Sequence, residues 1–188
     1  MTKLTPETEQ NIIGELKDFG VSAAVFFDAS DIKFSAEFRD MCRSNYCGSY
    51  GKNYKCPPSV GEMDDCIAEV RSYDRALLVQ TIRNIEDSYD FEGMRDAGDD
   101  HAANMVKLRE YLSENHSFAG ALYLSAGGCK ICPKCGILTD TPCRAPDRAI
   151  SSVEAYCMNV ADMTEAHGLH YINGENTVSF VGLVLIRK

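Results

Sequence analysis

The chain has 188 residues, enough for one domain with a core of its own and no need of disulfide staples. Its composition, 45% hydrophobic and 25% charged, is ordinary for a soluble globular protein, and a formal net charge of −9 argues against a nucleic-acid partner. No apolar run is long enough to cross a bilayer, and the opening MTKLTPETEQ lacks the basic and apolar regions of a secretory leader, so no membrane partner and a cytoplasmic location are expected.

Thr5 followed by Pro6 predicts a helix start, and Ile12, Ile13, Leu16 and Phe19 supply its apolar stripe up to Gly20. VSAAVFFDA (21–29) reads as a buried strand. Residues 30–59 have no sustained period and are rich in Gly, Ser, Asn and Tyr, and a loop that long in a compact domain is usually functional. A second helix is predicted over about 60–72, with Met63, Cys66, Ile67 and Val70 inward. A strand follows at 75–82, then a long helix over 92–114 with Met94, His101, Met105, Leu108 and Leu112 on one face. FAGALYLSA (118–126) predicts a third strand. Asn159 and Asp162 mark the capped start of a last helix closed by Gly168. TVSFVGLVLI (177–186) is a continuous apolar strand, expected at the centre of the sheet.

This order predicts an α/β or α+β chain, one domain over 1–188, with a mixed and mainly parallel sheet of about four strands flanked by helices. Were strands one and three parallel, the irregular segments at about 30–59 and 127–148 would emerge at the same sheet edge, where open sheets place their sites.

The second of those segments carries Cys129, Cys132, Cys135 and Cys143 in GGCKICPKCGILTDTPCRAPDR. Two-residue gaps let successive sulfurs turn toward one centre, as a thiolate-bound metal or iron–sulfur cluster requires. Either all four hold one [4Fe–4S] cluster, or three hold it and Cys143 reaches a neighbouring one. The first segment carries Cys42, Cys47 and Cys56 in MCRSNYCGSYGKNYKCPPSVG, with looser gaps, turn-permitting Gly48 and Gly51, and stiffening Pro57 and Pro58. It reads as a second metal site, one ligand short of a cubane, whose last place falls to Cys66, water or a substrate. Zinc is the competing metal, since four thiolates suit tetrahedral Zn²⁺. The triple two-residue spacing favours a cubane. The radical-enzyme spacing CxxxCxxC is missing.

Charge supports a site at these segments. Residues 42–58 carry Arg43, Lys52 and Lys55 without an acid, and 129–148 carry Lys130, Lys134, Arg144 and Arg148 against Asp140 and Asp147. Positive charge lowers thiol pKa and offsets a thiolate-bound cluster. Other candidates are weaker. Cys66 and Cys157 read as packing residues, His101 as a hydrogen-bonded core histidine, and His116, His167 and His170 form no ligand spacing. Tyr46, Tyr50 and Tyr54 recur beside the cysteines, more as packing than as a stacking platform. The carboxylates of EDSYDFE and DAGDD read as a solvated face.

YGKNYKCPP (50–58), CKICPKC (129–135), CRAPDR (143–148), SVEAYCMNV (152–160) and VSFVGLVLI (178–186) together resemble the predicted metal-binding proteins of domain of unknown function 2284. The resemblance implies a cysteine-ligated metal or iron–sulfur site of the sort frequent in anaerobes, and it implies no substrate. Family members usually have glycine where Cys157 stands, so this thiol is not expected to be a ligand. The gap from Cys42 to Cys47 is longer than the family's, which sets Cys42 apart from Cys47 and Cys56.

The expected function is therefore that of an iron–sulfur protein, with one [4Fe–4S] cluster and room for a second, moving electrons or supporting a redox partner protein. The alternative is a zinc-stabilised binding module without a redox role. A stand-alone enzyme is less expected, because no nucleophile–base pair stands out.

Overall fold

The structure, a computed structural model, describes residues 4–116, 118 and 120–187. Helix α1 (Pro6–Glu15) starts as predicted, with the Thr5 hydroxyl accepting the Thr8 N–H at 3.2 Å and proline in the first turn. It tightens into a 3₁₀ turn over Leu16–Phe19 and stops at Gly20. Strand β1 (Ala23–Asp28) follows. The expected loop at 30–59 then contains a short helix, α2 (Glu37–Arg43), which no side chain caps and no apolar period announces. Helix α3 (Met63–Arg71), strand β2 (Arg75–Asn84) and the long helix α4 (Phe91–Asn115) lie close to their predicted spans. Strand β3 (Leu122–Ser125) is shorter than the expected 118–126, within which Ala119 lies outside the described residues. After a two-residue strand β4 (Ser151–Ser152) come α5 (Val160–Ala166), capped by the Asn159 side chain, and β5 (Thr177–Ile186).

The sheet corrects the expectation of four mainly parallel strands. Five strands pair in the order β1-β2-β5-β3-β4, and every neighbouring pair is antiparallel except β3 with β4. A helical crossover does make β2 and β3 parallel to each other, joined by α4. However, β5 inserts between them and pairs antiparallel with both, giving a split β-α-β unit. The connection from β1 to β2 leaves and re-enters at one end of the sheet, where Asp28 faces Arg75, so α3 is no crossover. The central position expected for β5 is the one it occupies.

Helices cover both faces, and the strand period of two sorts the core between them. Leu77, Val79, Tyr123 and Val184 pack with Ile12 and Leu16 of the first helical segment and with Met105, Leu108 and Leu112 of α4. Ala76, Leu78, Leu124, Leu183 and Leu185 pack on the other face with Cys66 and Val70 of α3, Met163 of α5, and Val153 and Met158.

Strands β1 and β3 run antiparallel, so the two cysteine segments leave opposite ends of the sheet. They meet by another route. After β1 the chain turns back over the α3/α5 face, where Phe34 bridges to Met158 and the Ser35 N–H donates to the Cys157 carbonyl at 2.8 Å. That path carries residues 45–58 to the end of β3.

Candidate metal centre

The first cysteine segment is held by its own polar groups. The Asn45 side chain accepts the Tyr50 N–H at 3.0 Å, the Cys56 N–H donates to the Asn53 carbonyl at 3.1 Å, and the Gly51 N–H donates to the Pro57 carbonyl at 2.9 Å. The segment is then fastened to the second one. Asn53 is central: its side-chain oxygen accepts the Lys55 N–H at 3.0 Å and its Nδ2 donates to the Cys129 carbonyl at 2.8 Å. The Tyr54 hydroxyl donates to the Thr141 carbonyl at 2.9 Å.

Two glycines permit the close approach. A Cβ on Gly128 would lie 3.1–3.3 Å from Ser49 Oγ, Cys56 Sγ and Asn53 Nδ2, filling the gap between the two cysteine segments. A Cβ on Gly136 would lie 2.5 Å from the Thr141 carbonyl, which faces it in the tight turn over Gly136–Thr139. In that turn the Gly136 carbonyl accepts from the Thr141 N–H and from the Thr139 hydroxyl, and the turn brings Cys143 back toward Cys135.

Cys129, Cys132, Cys135 and Cys143 are each half-buried, and all four line one cleft. Lys55 and Arg144 also line it, and no carboxylate does. Cys42, at the end of α2, lines a second cavity with exposed Cys47 and buried Cys56, about 420 Å³ in volume. Cys56 links the two groups electrically. Burial pushes its thiol up to about 12, and the thiols of Cys47, Cys42, Cys129 and Cys135 add to the effect. Burial raises Cys42 as well, with Cys47 adding and the Arg39 guanidinium opposing.

Among the described residues no three His, Cys, Asp or Glu groups stand close enough to share one ion. The thiols therefore share clefts without converging on a point. Their chemistry fits a thiolate-held centre all the same. The four-thiol cleft offers soft donors, two cations and no hard carboxylate to compete. A metal cation would also offset the burial and the neighbouring thiols that raise Cys56.

The remaining candidates are engaged elsewhere. Cys66 is buried in the core, 3.2 Å from Nη2 of Arg39, and Cys157 is fully buried. His101, 1% exposed, shares a 3.0 Å hydrogen bond with the Thr81 hydroxyl, and burial pushes it down to about 4. His116 pairs with Glu15 at 2.6 Å and His167 stacks on Phe27. Tyr46 is fully exposed and with Tyr50 lines the second cavity. Asp90, from the acidic EDSYDFE run, caps α4 by accepting the Gly93 N–H at 2.8 Å.

Sequence reasoning missed Glu154, whose residue lines the second cavity beside Cys42, Cys47 and Cys56. Burial raises its carboxyl above the ordinary range, against hydrogen bonds from its own backbone and the Ser152 hydroxyl. A signal existed: Glu154 is the one acid in SVEAYCMNV, a stretch with no metal spacing of its own. Arg39 was missed too. It is 6% exposed, donates to the Gly61 carbonyl at 2.9 Å, and gave no sequence cue in an aperiodic segment.

Residues 25–186, which include every cysteine discussed, match the model of the family described as "Predicted metal-binding protein (DUF2284)". The chain belongs to that family. Neither a curated protein nor a solved structure matches it. In this DUF2284 chain the family's metal-binding description falls on a structure in which both cysteine groups, though far apart in sequence, border Gly128.

Proposed function

We propose that this chain is an iron–sulfur protein that moves single electrons or supports a reductive reaction by a partner enzyme. Cys129, Cys132, Cys135 and Cys143 would hold a [4Fe–4S] cluster, and Cys42, Cys47 and Cys56 would form a second thiol site. The observation that carries this reading is the cleft lined by four thiols, two cations and no carboxylate in a chain of net charge −9. A bound cluster supplies one-electron chemistry. The chain's own contribution is to hold the sulfurs, set the surrounding charge through Lys55 and Arg144, and restrict water by half-burying the donors. Nine free thiols suit a reducing compartment such as the cytoplasm, and an acidic remainder suits a basic redox partner.

Protein purified without oxygen should be brown, with broad visible absorbance, iron and acid-labile sulfide. Cys132→Ser should lose most of the iron, whereas Cys157→Gly should keep it. A colourless protein carrying one zinc would overturn the iron reading in favour of a zinc-stabilised binding module. Unchanged iron in the Cys132 variant would remove that residue from the ligand set.

A further inference from the structure

A cavity lies between α4 and the segment that follows β3, with a volume of about 800 Å³, within the range of small-molecule sites. Its lining inverts the charge of the chain. Lys52, Lys107, Lys130, Lys134 and Arg148 face it against a single acid, Asp99. Asp99 pairs with Lys130 at 2.5 Å, and Arg148 pairs with Glu110 at 3.0 Å. Among the described residues no carboxylate pairs with Lys52, Lys107 or Lys134, although the chain has an excess of acids to offer. These three lysines are exposed around the concavity, so an anion there meets several positive charges and little competing carboxylate.

A second observation is independent of charge. Ser125, at the end of β3, is 5% exposed, and among the described residues its buried hydroxyl has no hydrogen-bond partner. By the alternation of the strand its side chain lies on the same face as Tyr123, the face that α4 covers, and Ser125 lines this cavity. A buried, unpartnered hydroxyl destabilises the fold unless something bonds to it. Beside it, Val106 and Ile150 give the cavity an apolar wall, and Cys129, Cys132 and Cys135 form part of its border.

We propose that this cavity binds a small organic molecule bearing a phosphate group. The lysines take the phosphate, the Ser125 hydroxyl bonds to the molecule, and the apolar wall covers its organic part. A compact dianion fits several point-charge ammonium groups better than a lone carboxylate does. Occupancy places the molecule against the four-thiol cleft, since Cys129, Cys132 and Cys135 border both spaces. It would there be within reach of the centre of the proposed function. That last step alone rests on the iron–sulfur reading, whereas binding itself does not.

The test is calorimetric titration of the anaerobically purified protein with pyrophosphate at low salt, with iron measured in the same sample. Saturable 1:1 binding is expected. It should weaken about tenfold in Lys107→Glu, equivalent to ~1.4 kcal/mol, and measurably in Ser125→Ala. It should hold in Lys33→Glu, where the exposed lysine lies outside the cavity lining. No saturable binding, an equal loss in the Lys33 variant, or citrate binding as tightly as pyrophosphate would overturn the proposal. Binding by iron-free protein would sustain it while removing the iron–sulfur reading. An iron-loaded protein that ignores pyrophosphate would do the reverse.

Discussion

Cys157 is fully buried and holds a left-handed backbone, with φ at +63° and its N–H donating to the Glu154 carbonyl at 2.9 Å. A residue without a Cβ adopts that conformation at no steric cost, so glycine fits this position. Glycine would hold the same backbone there, and Cys157 lines neither cysteine cavity, so Cys157→Gly is expected to retain metal. His101 is a second residue whose surroundings dictate its behaviour. Burial holds it neutral in the fold, down to about 4 against an ordinary 6.5. Between pH 6.5 and 4 the unfolded chain therefore binds a proton that the folded chain refuses, and stability falls as pH falls through that window. His101→Gln should lose less stability than the parent chain between pH 7 and 4.5, as read from urea midpoints at each pH. An equal loss would show that other groups account for the acid sensitivity.

At the scale of elements, the joint between the two cysteine segments decides whether a shared site exists. Asn53 makes that joint, because its one side chain both closes its own turn and donates to the Cys129 carbonyl. Asn53→Ala leaves that partly buried carbonyl unpaired, at a cost of about 1 kcal/mol, and frees the first segment to move. Thermal unfolding should report the lower stability, and metal analysis should find less metal retained. Full metal retention at unchanged stability would mean that other contacts hold the segments. The spans of α1, α3, α4 and β5 were legible in the sequence because each carries a sustained apolar period or run, reinforced in α1 by the Thr5 cap. Helix α2 and strand β4 were not. Seven uncapped residues and a two-residue strand present no period to read, and their neighbours in space place them.

For the molecule as a whole, a metal held by the thiols would couple its binding to folding. Metal-free, the fold keeps Cys56 protonated up to about 12, so metal uptake at neutral pH must displace its proton if Cys56 ligates. A pH-stat measurement during anaerobic reconstitution should record proton release, and Cys56→Ala should release less. Stripping the metal with a chelator should lower the unfolding temperature, since ligand binding to the folded state alone adds to stability. An unfolding temperature that ignores the chelator would separate the metal from the fold. No described helix is long and apolar enough to cross a membrane.

Two-residue gaps between Cys129, Cys132 and Cys135 mark this segment as a candidate thiol site before any fold is known, because such spacing acts locally. The apolar run at 177–186 likewise announces a central strand. Strand direction was beyond the reach of local pattern, since it depends on which partner each strand finds, and β5 inserted between β2 and β3. Only the tertiary structure put Cys56 beside Gly128, set Glu154 near the first thiols, and gathered unpaired lysines from residues 52, 107 and 134 around one cavity. Those neighbours are separated by tens of residues along the chain, and packing of the two faces, rather than spacing, brings them together.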